Sequence, residues 1–190
     1  MTSGREHYSA TKSVALMASM VALGNVLALI SMYVGDFHPQ VALDFSHLAT
    51  AIVAIYSGPA MGMITGALVG MAPYYRLGVM GWLGPFLGFV GLVGGKALSG
   101  LFFGLLGRRI RPFPAIVLGF LPESVYIYVL LKFFTRLVLP PQIASAFTDV
   151  IIISVQAKAW FEIVIIAVIM DLVKKRKIID AILAPTGASR

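Results

Sequence analysis

The chain has 190 residues, 59% of them hydrophobic and 12% charged, with a mean hydropathy of +0.92. A soluble domain carries roughly 25% charged residues, so half that share, with long apolar runs, predicts a single-domain integral membrane protein without a soluble catalytic module. The absence of cysteine excludes disulfides and thiolate chemistry. The formal net charge of +7 is carried by short basic clusters at the ends of apolar runs. That is the positive-inside pattern of a membrane protein and not a phosphate-binding stripe, so nucleic acid is not expected as a partner.

The N-terminal stretch through Lys12 is polar and mixed in charge, and no small-residue cleavage site follows it. The first apolar run, about 13–33, therefore reads as a retained span, long enough for a hydrocarbon core about 30 Å thick. A polar loop from Gly35 to Asp44 follows. The next apolar stretch is broken by Gly58-Pro59, a pair that turns or ends a helix, and predicts two short helices at 45–57 and 60–72. Charge supports that division. Arg5 and Lys12, then Arg108, Arg109 and Arg111, then Lys174 to Lys177 all fall on one side only if the chain crosses six times, with both termini cytoplasmic. Gly62, Gly66 and Gly70 form a stripe that permits close backbone packing.

An outer loop with Tyr74, Tyr75 and Arg76 is expected before a glycine-dense central helix at 80–106, in which Lys96 is either buried or snorkelling. The fifth helix spans 113–137. Pro122 lies inside it and removes a backbone donor, with Glu123 beside the kink near mid-membrane. Pro140-Pro141 opens the last outer loop, and Thr148 or Asp149 is placed to cap the sixth helix, 149–174. The expected fold is an all-α bundle of six transmembrane helices with two short central ones.

The sixth helix carries the strongest anomaly. Ser154, Lys158 and Glu162 recur every four residues and form one stripe on a helix otherwise largely apolar. Placing lysine or glutamate in hydrocarbon costs roughly 2.5–3.5 kcal/mol each even on lenient scales, and such residues normally face a polar cavity or a partner charge. Lys158 would lie about 15 Å below the outer end and Glu162 about 20 Å, with Glu123 at a depth similar to that of Glu162. With Asp44, His47, Arg76, Tyr74 and Tyr75 from the outer segments, the stripe outlines a pocket open to the outside for a small planar or zwitterionic solute. The plainer alternatives are a structural ion pair at i, i+4 within the stripe and a Glu123–Lys158 pair that merely neutralises the lysine. Trp160 points roughly 200° from Lys158 on a helical wheel and is read as core or lipid-facing. His38, His47 and Asp44 supply too few ligands for a zinc site. No metal or nucleotide motif appears, so transport would need energy from another subunit.

The segment Leu43 to Gly70, LDFSHLATAIVAIYSGPAMGMITGALVG, resembles the L-D-x-S segment, glycine-proline turn and glycine-rich third helix of the substrate-binding S components of energy-coupling factor (ECF) vitamin transporters. It is most similar to the riboflavin-binding members. Ala18 and Ala22, with Ala15 one turn earlier, look like the family's AxxxA element, and Lys158 falls where riboflavin members commonly have a lysine. The chain departs from those members at Val155-Gln156-Ala157, where they usually carry Pro-Phe-Asn, and in the acids Glu123 and Glu162, which a neutral flavin ring does not require. A charged or zwitterionic vitamin therefore stands beside riboflavin.

The resemblance implies a plasma-membrane subunit that is not itself an enzyme and has no resident cofactor. It implies vitamin binding near the outer face, docking through Ala15, Ala18 and Ala22 on a transmembrane coupling subunit, and import powered by ATP at two ATPase partners. The loaded subunit would rotate within the bilayer to release its vitamin inward. Two other readings stand beside it: a small membrane enzyme using Glu123, Lys158 and Glu162 for acid–base work on a lipid-like substrate, and an assembly subunit whose charges only bind a partner.

Overall fold

The computed structural model describes residues 10–37 and 44–183. Among these residues every regular element is helical, and four helices are long and apolar enough to cross a membrane. They are α1 (Ala10–Phe37), α4 (Gly84–Gly107), α5 (Pro112–Val138) and α6 (Asp149–Lys175). Two shorter helices stand between α1 and α4, α2 (Ser46–Ser57) and α3 (Pro59–Val69), and α7 (Ile178–Leu183) follows α6. His38, most of the expected loop between the first two helices, and the N-terminal segment with Arg5 and His7 lie outside the described residues.

Gly58-Pro59 turns the chain. Gly58 adopts φ +95°, a left-handed conformation that glycine enters without a Cβ clash, and Pro59 opens α3, where its missing N–H costs nothing. The two helices then run antiparallel with the Arg108 guanidinium packed over the turn.

The packing of α3 on α4 is decided by glycines. A Cβ added at Gly62 would collide with the Gly100 carbonyl, one at Gly66 with the Lys96 carbonyl, and one at Gly70 with the Leu92 carbonyl. Each turn gained along α3 meets one turn lost along α4, so the two backbones touch along their length. In lipid, where apolar side chains give no hydrophobic drive for helix association, such close approach supplies the dispersion contact that holds helices together.

Helix α3 does not stop at its expected end. Met71–Pro73 and a π-helical segment, Tyr74–Val79, continue it with only Gly70 between. Tyr74, Tyr75 and Arg76 are therefore helical, not loop residues, which corrects the expectation of an outer loop. Asn25 of α1 supports this continuation. Its Nδ2 donates to the Leu68 carbonyl and its Oδ1 accepts the Ala72 N–H, so the amide bridges backbone groups at the junction.

Helix α2 is short and central. Its twelve residues span about 18 Å, and eight of them are buried, among them Ala49, Ala51, Val53 and Ala54. Small residues around its circumference fit a helix with neighbours on most sides. Its last turn lies beside Gly107, since a Cβ there would meet Ile55, and its first residue, Ser46, contacts Lys96. Lys96 is about 18 Å along α4 from Arg108. Helix α2 thus occupies only the half of the bundle next to the basic turn and begins in the middle.

The remaining helices enclose it. Helix α5 is interrupted at Phe120 between Gly119 and Leu121, where Pro122 withdraws its donor. Thr148 caps α6 by accepting the Ile151 N–H. Ile163, Ile166, Ala167 and Met170 of α6 join Ile52, Phe103, Ile116 and Phe120 in the main apolar core.

Candidate functional site

Where α2 begins, the apolar core gives way to charge. Asp44, immediately before the helix, accepts the Ser46 N–H at 2.9 Å and the Lys96 ammonium at 3.1 Å. Lys96 also donates to the Ser46 hydroxyl. The L-D-x-S segment therefore has a local reason to exist: the aspartate ties down the first turn of α2, and aspartate and serine together hold a lysine from α4.

Glu123 of α5 is buried next to this pair. One oxygen accepts the Ser99 hydroxyl of α4, and the other lies 3.7 Å from Nε2 of His47. The His47 ring packs edge-on against Phe103 and Phe120, and its Nδ1 is buried without a hydrogen-bond partner. Glu162 of α6 completes the cluster. It receives the Asp44 backbone N–H and stands 3.9 Å from Lys158 one turn away. Depth is shared: Lys96, Glu123 and Glu162 each lie about 16–20 Å from the basic end of their helices, a level at which lone charges are costly in a bilayer.

Of the residues singled out by sequence, the structure joins Asp44, His47, Glu123, Glu162 and Lys158. Of the two plainer alternatives the Glu123–Lys158 pair is not formed: Lys158 stands against Glu162, the i, i+4 pairing within the stripe, and Glu123 against Ser99 and His47. Ser154 lies two turns along α6 from Glu162, about 12 Å away along the axis, exposed and bonded to its own helix at the Val150 carbonyl. Only the lower part of the stripe belongs to the cluster.

Tyr75 and Arg76 stand apart. They line an open groove of about 420 Å³ together with Leu29, Ala72 and Met80. Tyr74 packs edge-on against Phe89 beneath the close contact of Gly78 with Gly88. Trp160, read as core or lipid-facing, is half-buried, stacks edge-on against Phe120 and donates to the Ser124 hydroxyl. Ser124 and Gln156 are joined by two further hydrogen bonds, which tie α5 to α6 beside the cluster. Ala15, Ala18 and Ala22 are exposed along α1.

Sequence reasoning missed Lys96 as a member of the site, and Ser46 and Ser99 with it. Lys96 and Ser99 are three residues apart and share one face of a helix rich in glycine. That spacing was the available signal.

The cluster can bind polar groups at mid-depth in an apolar bundle, with two of its members reaching the surface. The side chain of Lys158 is 37% exposed and that of Asp44 30%. Among the described residues no group of three or more His, Asp or Glu side chains is arranged to hold a metal ion. No protein-family model, curated protein or solved structure matches the chain.

Proposed function

We propose that this chain is the vitamin-binding S component of an ECF-type importer, a multi-pass subunit of the plasma membrane that crosses six times with both termini in the cytoplasm. The supporting observation is the half-length helix α2. Because it begins in the middle of the bundle, Asp44, His47 and Lys96 meet Glu123 and Glu162 there. A bundle selected only for stability gains little from such a cluster, since buried ion pairs barely repay their desolvation.

In this reading the cluster is the floor of a vitamin site reached from the outer side, past Lys158. The resemblance makes riboflavin the first candidate, while the carboxylates favour a charged or zwitterionic vitamin. The exposed small residues Ala15, Ala18 and Ala22 would permit close, reversible approach of a coupling subunit in lipid. That subunit and two ATPases would supply the energy.

The test is purification in mild detergent followed by denaturation and mass spectrometry of what is released. A near-stoichiometric small molecule is expected. If none is released and no vitamin raises the melting temperature, the reading fails.

A further inference from the structure

Resting on the reading of the cluster as a solute site, the charge inventory narrows what that solute is. The connection before α2 brings Asp44, α2 brings His47, α4 brings Lys96, α5 brings Glu123, and α6 brings Lys158 and Glu162. Helix α3 has no titratable residue. Asp44 and Lys96 satisfy each other at 3.1 Å. The cluster as a whole holds three carboxylates to two lysines, and the second lysine, Lys158, is 3.9 Å from Glu162 and more than a third exposed. Within contact distance Glu123 has the Ser99 hydroxyl and an imidazole, and the Lys96 ammonium, already bonded to Asp44, acts on it only at longer range.

The orphaned imidazole nitrogen adds a second, independent sign. His47 is only 8% exposed. With Nε2–H turned toward Glu123, Nδ1 is a lone-pair acceptor, buried and unpaired. A buried acceptor without a donor is costly, a cost that a bound N–H group removes. Nδ1 therefore lacks any donor, while the two carboxylates are met by a hydroxyl, a backbone N–H and one long lysine contact. Among the described residues no three His, Asp or Glu side chains are arranged to hold a metal ion, so the occupant considered is an organic one.

We infer that the cluster takes an organic cation bearing N–H donors (an ammonium, amidinium or guanidinium), held by Glu123 and Glu162, and that Lys158 is the counter-ion it displaces. Lys158 is suited to this. Its pairing is long, at 3.9 Å, and its side chain is more than a third exposed, whereas the Asp44–Lys96 pair is short, at 3.1 Å with the lysine buried, and stays intact as the floor.

Full-length protein in lipid nanodiscs, stripped of retained solute, is titrated with benzamidine, benzamide and benzoate, three ring solutes of one size that are cationic, neutral and anionic. Benzamidine alone is expected to bind and raise the melting midpoint. An equal response to benzamide or benzoate, or no response to benzamidine, overturns the inference. Lys158→Gln should tighten benzamidine about two- to fivefold, the worth of a part-exposed pair. Weaker binding in that variant would make the lysine a direct contact and overturn its displacement. Glu162→Gln should weaken benzamidine at least about thirtyfold, the loss on truncating one partner of a buried charge pair. If Glu162→Gln does not fold, the Lys158→Gln measurement still decides. The solute released from native protein separates the two levels of the reading: a neutral or anionic one removes the cation and leaves vitamin binding standing, while no retained solute removes both.

Discussion

The seam between α3 and α4 and the cluster at the start of α2 share residue Lys96, yet they are built on opposite principles. In the seam the Lys96 carbonyl lies against Gly66, backbone to backbone, with no side chain between. In the cluster the Lys96 ammonium reaches Asp44 and Ser46 from a different segment. The seam tolerates no added atom and positions the lysine. The cluster depends on charges whose partners lie on other helices, and it has members exposed enough to change partner. The contrast teaches that a rigid, side-chain-free contact lets a membrane bundle hold a buried ammonium at a defined point.

Breaking the seam should have the largest effect. Gly66→Leu places a side chain where the α4 backbone already lies, and neither backbone can yield without separating the helices. The expected outcome is loss of monodisperse protein on size-exclusion chromatography. A folded, monodisperse Gly66→Leu protein would show that the seam is not the scaffold.

Breaking the cluster comes next. Lys96→Met leaves Asp44 without its ammonium, and removing one member of a buried pair costs about 3–5 kcal/mol. The melting temperature should drop sharply, and Asp44→Asn added to Lys96→Met should recover much of the drop. Independent, additive losses in the double variant would mean that the two residues do not form a stabilising unit.

Smaller effects sharpen the comparison at its edges. Asn25→Ala removes both hydrogen bonds to the α3 junction. Inter-helical hydrogen bonds in membranes average about 0.6 kcal/mol, so a loss of about 1 kcal/mol is expected in reversible unfolding. A neutral result would mean that the junction holds without α1. Trp160→Phe keeps the edge contact with Phe120 and deletes the donation to Ser124. It should cost about 0.5–1 kcal/mol, and no change in solute affinity is expected. A large affinity loss would place the indole in the site.

Much of the architecture was legible along the chain, for reasons particular residues make plain. Apolar length is a local property, so α1, α4, α5 and α6 could be read from hydropathy alone. Gly58-Pro59 announced its turn because backbone sterics are local too. Tyr74 to Arg76 misled because tyrosine and arginine after a proline look like a loop. The helix continues through them with a π-helical segment, its junction braced by Asn25, and neither feature has a strong sequence signature. In the site, Glu123, Glu162 and Lys158 stood out by their cost in hydrocarbon, whereas Lys96 had two readings, buried or snorkelling, and nothing local chose between them.

By itself, then, the sequence determined the helical class, the turn at Gly58 and the set of polar side chains that an apolar bundle has to accommodate, because hydrophobicity and backbone sterics act within a few residues. Which charges pair was decided only in three dimensions. Asp44 meets Lys96, with 51 residues between them, because glycine contacts set the register of α3 on α4 and α2 begins halfway along them. A Coulomb contact depends on distance in space, and that distance is a property of the assembled bundle.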